Sequence, residues 1–243
     1  MSFQIYCINM AKSVDRRSSM KEEAARLGLE LSFIEAIDGH KLGASRPIPE
    51  YDEVQRLKWS GKAMTPTEIA CFLSHIHSWK IASLSPADLI VILEDDVILD
   101  DDFVEILNGI TALPENSFDL VRFMMLRQRP SRLRHCITST RVLTQPIQGG
   151  SGAQGYAFRP FMAKTILSRL VPFSAPVDTQ IDRFWEHGLK ICAVEPFPIK
   201  HRGVESTLSW KGEPPTKLVK LRRKLRKIED RLARSIYVFK HFE

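Results

Sequence analysis

The chain has 243 residues, 44% of them hydrophobic and 26% charged, which suits one sizeable globular core plus an appendage rather than a disordered chain. Its net charge of +6 is uneven, because Lys217 to Lys240 holds ten of the 35 Lys and Arg residues but only two of the 29 acidic ones. The body is therefore near neutral, which argues against a nucleic-acid-binding core.

Phe3 to Ile8 reads as a strand, and Ser13 then caps a helix whose apolar positions Met20, Ala24 and Leu27 recur at helical spacing before Gly28 stops it. Leu31 to Ala36 returns as a second strand ended by Asp38-Gly39. Residues 43–64, with Pro47 and Pro49, have no clear period and read as an irregular excursion. Thr65-Pro66-Thr67-Glu68 is a capping box with proline at the first helical position, and Ile69, Phe72, Leu73 and Ile76 form one apolar face behind it. Leu89 to Leu93 is then a wholly apolar strand, predicted to be parallel and buried on both faces.

Further along, the pattern predicts a helix over Phe103–Ile110 and a strand over Asp119–Met124. A loop carrying Arg127, Arg129, Arg132 and Arg134 follows, suited to an anionic acceptor or simply solvated. A glycine-rich turn at Gly149–Gly155 leads into a strand at Tyr156-Ala157-Phe158. Helices are predicted from Pro160 and from Asp178, and a strand over Ile191–Val194. In the tail, Leu218, Leu221, Leu225, Ile228, Leu232 and Ile236 alternate spacings of three and four, an apolar stripe among basic residues that ends in Tyr237, Phe239 and Phe242. Such a helix fits the interface of an anionic bilayer, a homodimer, or packing on the body itself.

The first ten residues have no basic region ahead of an apolar stretch, and no apolar run is long enough to span a bilayer, so neither a leader nor a spanning helix is expected. Cys7, Cys71, Cys136 and Cys192 contain no CxxC pair, so the cysteines suggest neither a zinc site nor a disulfide framework, and a reducing cytoplasm fits them. The chemistry concentrates at Glu94-Asp95-Asp96. Carboxylates at the carboxyl end of a buried strand repel one another, and a hard divalent cation relieves that repulsion while clamping a diphosphate. An acidic turn solvated at a strand end is the plain alternative.

Six segments taken in order, YCINM with DRR (6–10 and 15–17), AIDG (36–39), TPTEIACFLSHIHSW (65–79), VILEDDV (91–97), GAQGYAF (152–158) and PVD (176–178), resemble the successive motifs of glycosyltransferase family 25, the lipooligosaccharide galactosyltransferase family. The resemblance implies an α/β, GT-A-like nucleotide-diphospho-sugar transferase fold, a Rossmann-like mixed sheet flanked by helices. The match runs from about Ile5 to about Ser206, so a GT-A-like catalytic domain is expected over 1–213, and the charge and apolar stripe set apart a basic amphipathic helical tail over 214–243. The implied activity is inverting transfer of a hexose, galactose from UDP-galactose, to a lipooligosaccharide core with Mn²⁺ or Mg²⁺. Asp96 is then the metal ligand, with Glu94 or Asp95 meeting the ribose and metal, and His201 a later ligand in the manner of a carboxy-terminal histidine in some GT-A enzymes.

Asp178 of the PVD motif, or Asp182 one turn on, is the general base, although Asp178 reads equally as a helix cap. Asn9, Arg16 and Arg17 fall where the nucleotide would lie, unless the arginines are solvated charges. Ser74 and His75 match the family's serine-histidine motif or serve helix packing, and Gln154 reaches sugar hydroxyls. The expected partners are the nucleotide sugar, a lipid-linked oligosaccharide and an anionic membrane reached through the tail, at the inner face of a bacterial inner membrane, with no nucleic acid. A metal phosphohydrolase and a non-enzymatic membrane adapter are the alternatives; the chain lacks the early Asp-x-Asp-x-Thr nucleophile of an aspartyl phosphohydrolase.

Overall fold

The computed structural model describes residues 2–42, 47–203 and 217–242. Residues 43–46 of the expected excursion, the expected boundary at 213/214, and the side chains of Leu218 and Leu221 lie outside the described residues. The chain opens as β1 (Phe3–Asn9), α1 (Val14–Arg26) and β2 (Leu31–Glu35), with β1 and β2 parallel. Gly28 closes α1 with a positive φ of 64°, a conformation that costs glycine little. Ser13 holds the N-cap position, but its side chain makes no capping hydrogen bond, so its expected role is positional only.

The stretch predicted to be irregular contains a helix, α2 (Glu53–Ser60), capped by Asp52 accepting from the Gln55 amide at 2.8 Å and closed by Gly61 in the left-handed region. It escaped the periodicity because it is two turns long and buries none of its residues. The capping box of Thr65 and Glu68 is present at the start of α3 (Pro66–Ala82). β3 (Leu89–Glu94) follows, with every residue from Leu89 to Leu93 fully buried.

The remaining elements are β4 (Val97–Leu99), α4 (Phe103–Ala112), β5 (Leu120–Arg122), β6 (Ser131–Cys136), β7 (Val142–Pro146), β8 (Gly155–Phe158), α5 (Met162–Leu170), α6 (Val177–Asp182), α7 (Phe184–His187), β9 (Ile191–Glu195), β10 (Ile199–His201) and α8 (Lys217–His241). Eight strands form one sheet in the order β2-β1-β3-β8-β5-β9-β7-β6, and β4 pairs with β10 in a separate antiparallel ladder. β3 is parallel to β1 but antiparallel to β8, so the strand expected to be parallel sits where the sheet changes direction. Arg132 and Arg134, read as loop residues, lie on β6, whose residues are half-buried or exposed and so gave no apolar signal. The mixed α/β sheet flanked by helices is the architecture the resemblance implied, and the carboxy-terminal helix is the one the tail's apolar spacing predicted.

Alternate residues of the central strands feed two cores. Ile5, Cys7, Leu89, Val91 and Leu93 pack against Met20 of α1 and Phe103, Ile106 and Leu107 of α4. Ile90, Ile92, Tyr156 and Phe158 pack on the other face against Phe72, Ile76 and Trp79 of α3 and Ile166 of α5. Each such aliphatic side chain withdrawn from water contributes about 1.5–3 kcal/mol.

α8 docks through α2 and α7 by its polar and aromatic side. Arg183 bonds to both Asp230 oxygens at 3.0 and 2.8 Å and lies over the Trp59 ring at 4.0 Å, while Phe242 stacks on Phe184 at 5.6 Å. Arg132 donates to the Phe242 carbonyl and Arg134 lies over the Phe242 ring. The apolar stripe points the other way: Leu225, Ile228, Leu232 and Ile236 are between 46% and 60% exposed and Phe239 is 87% exposed. Packing of that stripe on the body is therefore corrected, and Tyr237 and Phe242 face inward rather than joining Phe239 at the surface.

His187, the last residue of α7, is buried in its neutral form: Nε2 lies 3.0 Å from the Ile181 carbonyl and Nδ1 accepts the Leu189 amide at 3.1 Å. Burial first of all pulls it from its ordinary 6.5 down to about 4. A depressed value means the native state resists a proton that the unfolded chain accepts. Stability from this site is therefore intact above pH 6.5 and is lost as pH falls toward 4, by on the order of 3 kcal/mol. Urea titrations of wild type and His187→Gln across that range should show a steeper loss in wild type; parallel curves would refute the assignment.

Candidate active site

The doubly covered β3 delivers Glu94 to the sheet edge, and Asp95 and Asp96 form the turn into β4. Ile8 is in register with Glu94, so Asn9 stands next to the acidic triplet. Asn9, itself buried, donates to Asp95 Oδ2 at 2.7 Å, and Arg16 from α1 donates to Asp95 Oδ1 at 3.1 Å. Asp95 is thereby occupied by protein donors, a brace rather than an open ligand. Arg17 turns outward over the Phe33 ring at 4.4 Å and is not brought to the site.

Asp96 is different. Its Oδ2 lies 3.1 Å from His201 Nε2, which the β4–β10 ladder brings alongside by pairing His201 with Val97. Its Oδ1 is buried with no hydrogen-bond partner among the described residues. Burial, then the charge of Glu94, pushes the Asp96 carboxyl above its ordinary range, with His201 opposing. A buried oxygen left unpaired costs about 1–3 kcal/mol, more when charged, and a cation removes that cost. The donors here, carboxylate oxygens with one imidazole, suit a hard or borderline divalent ion.

Glu94 is partly exposed and its Oε1 lies 3.5 Å from His75 Nε2. His75 Nδ1 lies 2.8 Å from the Tyr156 hydroxyl, which also accepts from Trp79 Nε1 at 2.8 Å. Ser74 is fully engaged elsewhere, donating to the Ala70 carbonyl and accepting from the Ile37 amide, so its part is to tie α3 to the segment after β2. Gln154 accepts the Glu94 amide through its backbone carbonyl at 2.8 Å, and its side-chain Oε1, like Asn9 Oδ1, is buried without a partner among the described residues.

The two candidate bases divide by environment. Asp182 receives Arg122, a fully buried arginine on β5, and accepts from the Ser151 amide at 2.8 Å. Burial pushes its carboxyl up and Arg122 opposes this. Asp182 also presses so closely against the glycine turn that a Cβ on Gly149 would overlap its carboxyl group. Asp178 accepts from the Gly152 amide at 3.0 Å and the Thr179 amide at 2.7 Å; it is half-buried, and the N-cap itself is Pro176. Asp178 shares the field of the acidic edge: burial first, then Glu94, Asp178 and Asp96, pushes the Cys71 thiol up. Together the two aspartates hold Ser151, with its φ of 58°, and Gly152, at 83°, in the left-handed region the turn requires.

Sequence reasoning passed over Tyr156, Trp79, Cys71 and Arg122. Arg122 had a signal, a charge inside the apolar run Leu120–Met125, which demands a buried counter-ion. Of the arginines expected to meet an acceptor, Arg129 donates to the Gly149 carbonyl at 3.0 Å, and Arg132 and Arg134 hold the end of α8. A cavity of about 580 Å³ bordered by Arg26, Asp100, Asp102, Arg141 and Lys200 has no residue of the triplet in its lining, and its charges are paired with one another.

Residues 2–181 match the profile of glycosyltransferase family 25, described as an LPS biosynthesis protein. The chain belongs to that family. A glycosyltransferase 25 family member from Drosophila pseudoobscura pseudoobscura is 32% identical over 130 residues, covering 49% of this chain and 20% of the relative. Procollagen galactosyltransferase 2 of Mus musculus is 32% identical over 101 residues, covering 39% of this chain and 16% of the relative. The chain thus spans about a fifth of the length of the curated relatives it matches. The solved glycosyltransferase GlyE of Streptococcus pneumoniae TIGR4 superposes with a TM-score of 0.42 at 11% identity, covering 98% of this chain and 63% of that one.

The contrast between the aspartates is measurable. Asp182→Asn leaves Arg122 buried and unpaired and should cost about 3–5 kcal/mol in chemical denaturation. Asp178→Asn keeps an acceptor for Gly152 and should cost under about 1 kcal/mol. Equal losses would show that Arg122 does not depend on Asp182.

Proposed function

We propose that this chain is an inverting hexosyltransferase that moves galactose from UDP-galactose to a lipooligosaccharide core acceptor in a reaction dependent on Mn²⁺ or Mg²⁺. The observation that carries this reading is Asp96, a buried carboxylate with one oxygen unpaired, flanked by Glu94 and His201 at the sheet edge. Family membership supports transfer chemistry, and the names of the procollagen galactosyltransferases support galactose.

Asp96, Glu94 and His201 would hold the cation. When bound, such an ion supplies Lewis-acid neutralisation of the diphosphate leaving group. Asn9 and Arg16 keep Asp95 fixed beside it, and the glycine turn gives the donor sugar a close backbone approach. Asp178 is the base in this reading, because Asp182 is committed to Arg122 and the Ser151 amide. Asp178 takes the acceptor hydroxyl's proton as that oxygen bonds to the anomeric carbon and the bond to the diphosphate oxygen breaks.

Incubating the full chain with lipooligosaccharide and a panel of UDP-hexoses, then weighing the products by mass spectrometry, tests this directly. A mass gain of one hexose with UDP-galactose is expected, reduced at least about a hundredfold in Asp96→Asn and in Asp178→Asn while both stay folded by circular dichroism. Release of UDP without any new glycoside would instead favour a phosphohydrolase, and full turnover in Asp96→Asn would remove the metal role.

The same reading puts the chain on an anionic membrane, at the cytoplasmic face where a lipid-linked acceptor is met. The outward stripe of α8 is bordered by exposed Lys224, Lys227, Arg231 and Lys240. A second copy docked on this face would bring like charges together, whereas anionic headgroups neutralise them. The protein should sediment with phosphatidylglycerol vesicles, and binding should fall several-fold as salt is raised and be lost in Leu232→Glu/Ile236→Glu. A salt-insensitive dimer that ignores vesicles would overturn the membrane placement.

A further inference from the structure

Two side chains beside the acidic triplet, Cys71 and His75, have no part in the reading above, and they meet Glu94 of the triplet itself. Cys71 and His75 are four residues apart on α3 and so share one helix face, and Glu94 meets them from the end of β3. One donor atom from each, sulfur, ring nitrogen and carboxylate oxygen, lies within 4.8 Å of the other two. The His75 Nε2 to Glu94 Oε1 separation is 3.5 Å. Two such donors bound about 2.0–2.1 Å from one tetrahedral zinc stand about 3.3–3.5 Å apart.

The surroundings of His75 are those of a metal-ligating imidazole. Binding through Nε2 leaves the proton on Nδ1, which then donates to the Tyr156 hydroxyl at 2.8 Å. That oxygen has a second lone pair for Trp79 Nε1–H, also at 2.8 Å. Tyr156 and His75 are buried, so the ring is held in place, while the partly exposed Glu94 gives the site a side open to solvent.

We propose that Cys71, His75 and Glu94 form a binding site for a thiophilic divalent cation, zinc by its donor set. It shares Glu94 with the hard-cation site at Asp96 and draws its other two ligands from α3. Three protein ligands leave a fourth position for water. On binding, the Cys71 thiol loses its proton to solvent and the thiolate sulfur bonds the metal, with no change in oxidation state. Because Glu94 belongs to both groupings, zinc here draws its carboxylate toward α3 and away from Asp96. The site itself rests on the donor geometry and not on the transferase reading.

The test uses the full chain, stripped with chelator and titrated with Co²⁺ as a spectroscopic substitute for Zn²⁺. A cobalt–thiolate charge-transfer band should grow to one equivalent and disappear on adding Zn²⁺. It should be lost in Cys71→Ser and kept in Cys136→Ser, which removes the exposed cysteine, and in Asp96→Asn. Without any substitution, Zn²⁺ should slow alkylation of Cys71, followed by peptide mapping, at least about tenfold. No band in the wild-type chain, a band that survives in Cys71→Ser, or alkylation of Cys71 unaffected by Zn²⁺ would each overturn the proposal.

Discussion

The burial of β3 on both faces is the constraint from which the site follows. Five consecutive residues, Leu89 to Leu93, have no exposure, so helices α1 and α4 on one side and α3 and α5 on the other are fixed against them. The strand becomes polar only where it leaves that cover, and it does so with three carboxylates in a row. Charges grouped at the rim of a low-dielectric core must find partners or be protonated. Asp95 finds Asn9 and Arg16, Glu94 finds His75, and Asp96 finds His201 on one oxygen only. Four different elements, β1, α1, α3 and β10, are drawn to one edge by this demand.

The glycine turn is tied to the same edge from the opposite direction. Gln154 takes the Glu94 amide on its backbone carbonyl, and Asp178 and Asp182 take the amides of Gly152 and Ser151. Arg122 supplies the counter-charge to Asp182, opposing the effect of its burial. The turn, the acidic triplet and α6 therefore form one braced unit, which suits chemistry that depends on groups held in place before substrate arrives.

The fold was legible where periodicity and capping are strong and illegible where they are not. The capping box at Thr65, the apolar run of β3 and the opening strand-helix-strand could be read directly, because their burial patterns reflect their neighbours. α2, β6 and β10 could not, since short elements with exposed or half-buried residues carry no contrast between faces. At the site, residue types pointed to Asp96 and its neighbours, and the spacing of Asp178 and Asp182 gave two candidates. What separates those two is Arg122, some 60 residues away in sequence, and only the sheet register reveals it. Ser74 and Arg17 show the converse: both occupy motif positions, yet one is consumed by backbone groups and the other by an aromatic ring.

The tail shows why an apolar stripe does not by itself say what covers it. Amphipathic helices usually turn their apolar face inward. α8 instead docks by Asp230, Arg226, Arg234, Tyr237 and Phe242 against Arg183, Trp59, Trp185 and Phe184, so that ion pairs and cation–π contacts do what aliphatic packing does elsewhere. Arg183 is the joint: it bonds Glu186 on α7 and Asp230 on α8, and it directly follows α6, which carries Asp178 and Asp182. The outward stripe is thus connected, through one buried guanidinium, to the helix that supports the glycine turn. The stripe and the acidic edge are linked through side chains that pair with one another, Arg183 with Glu186 and Asp230, and Asp178 and Asp182 with the amides of the glycine turn.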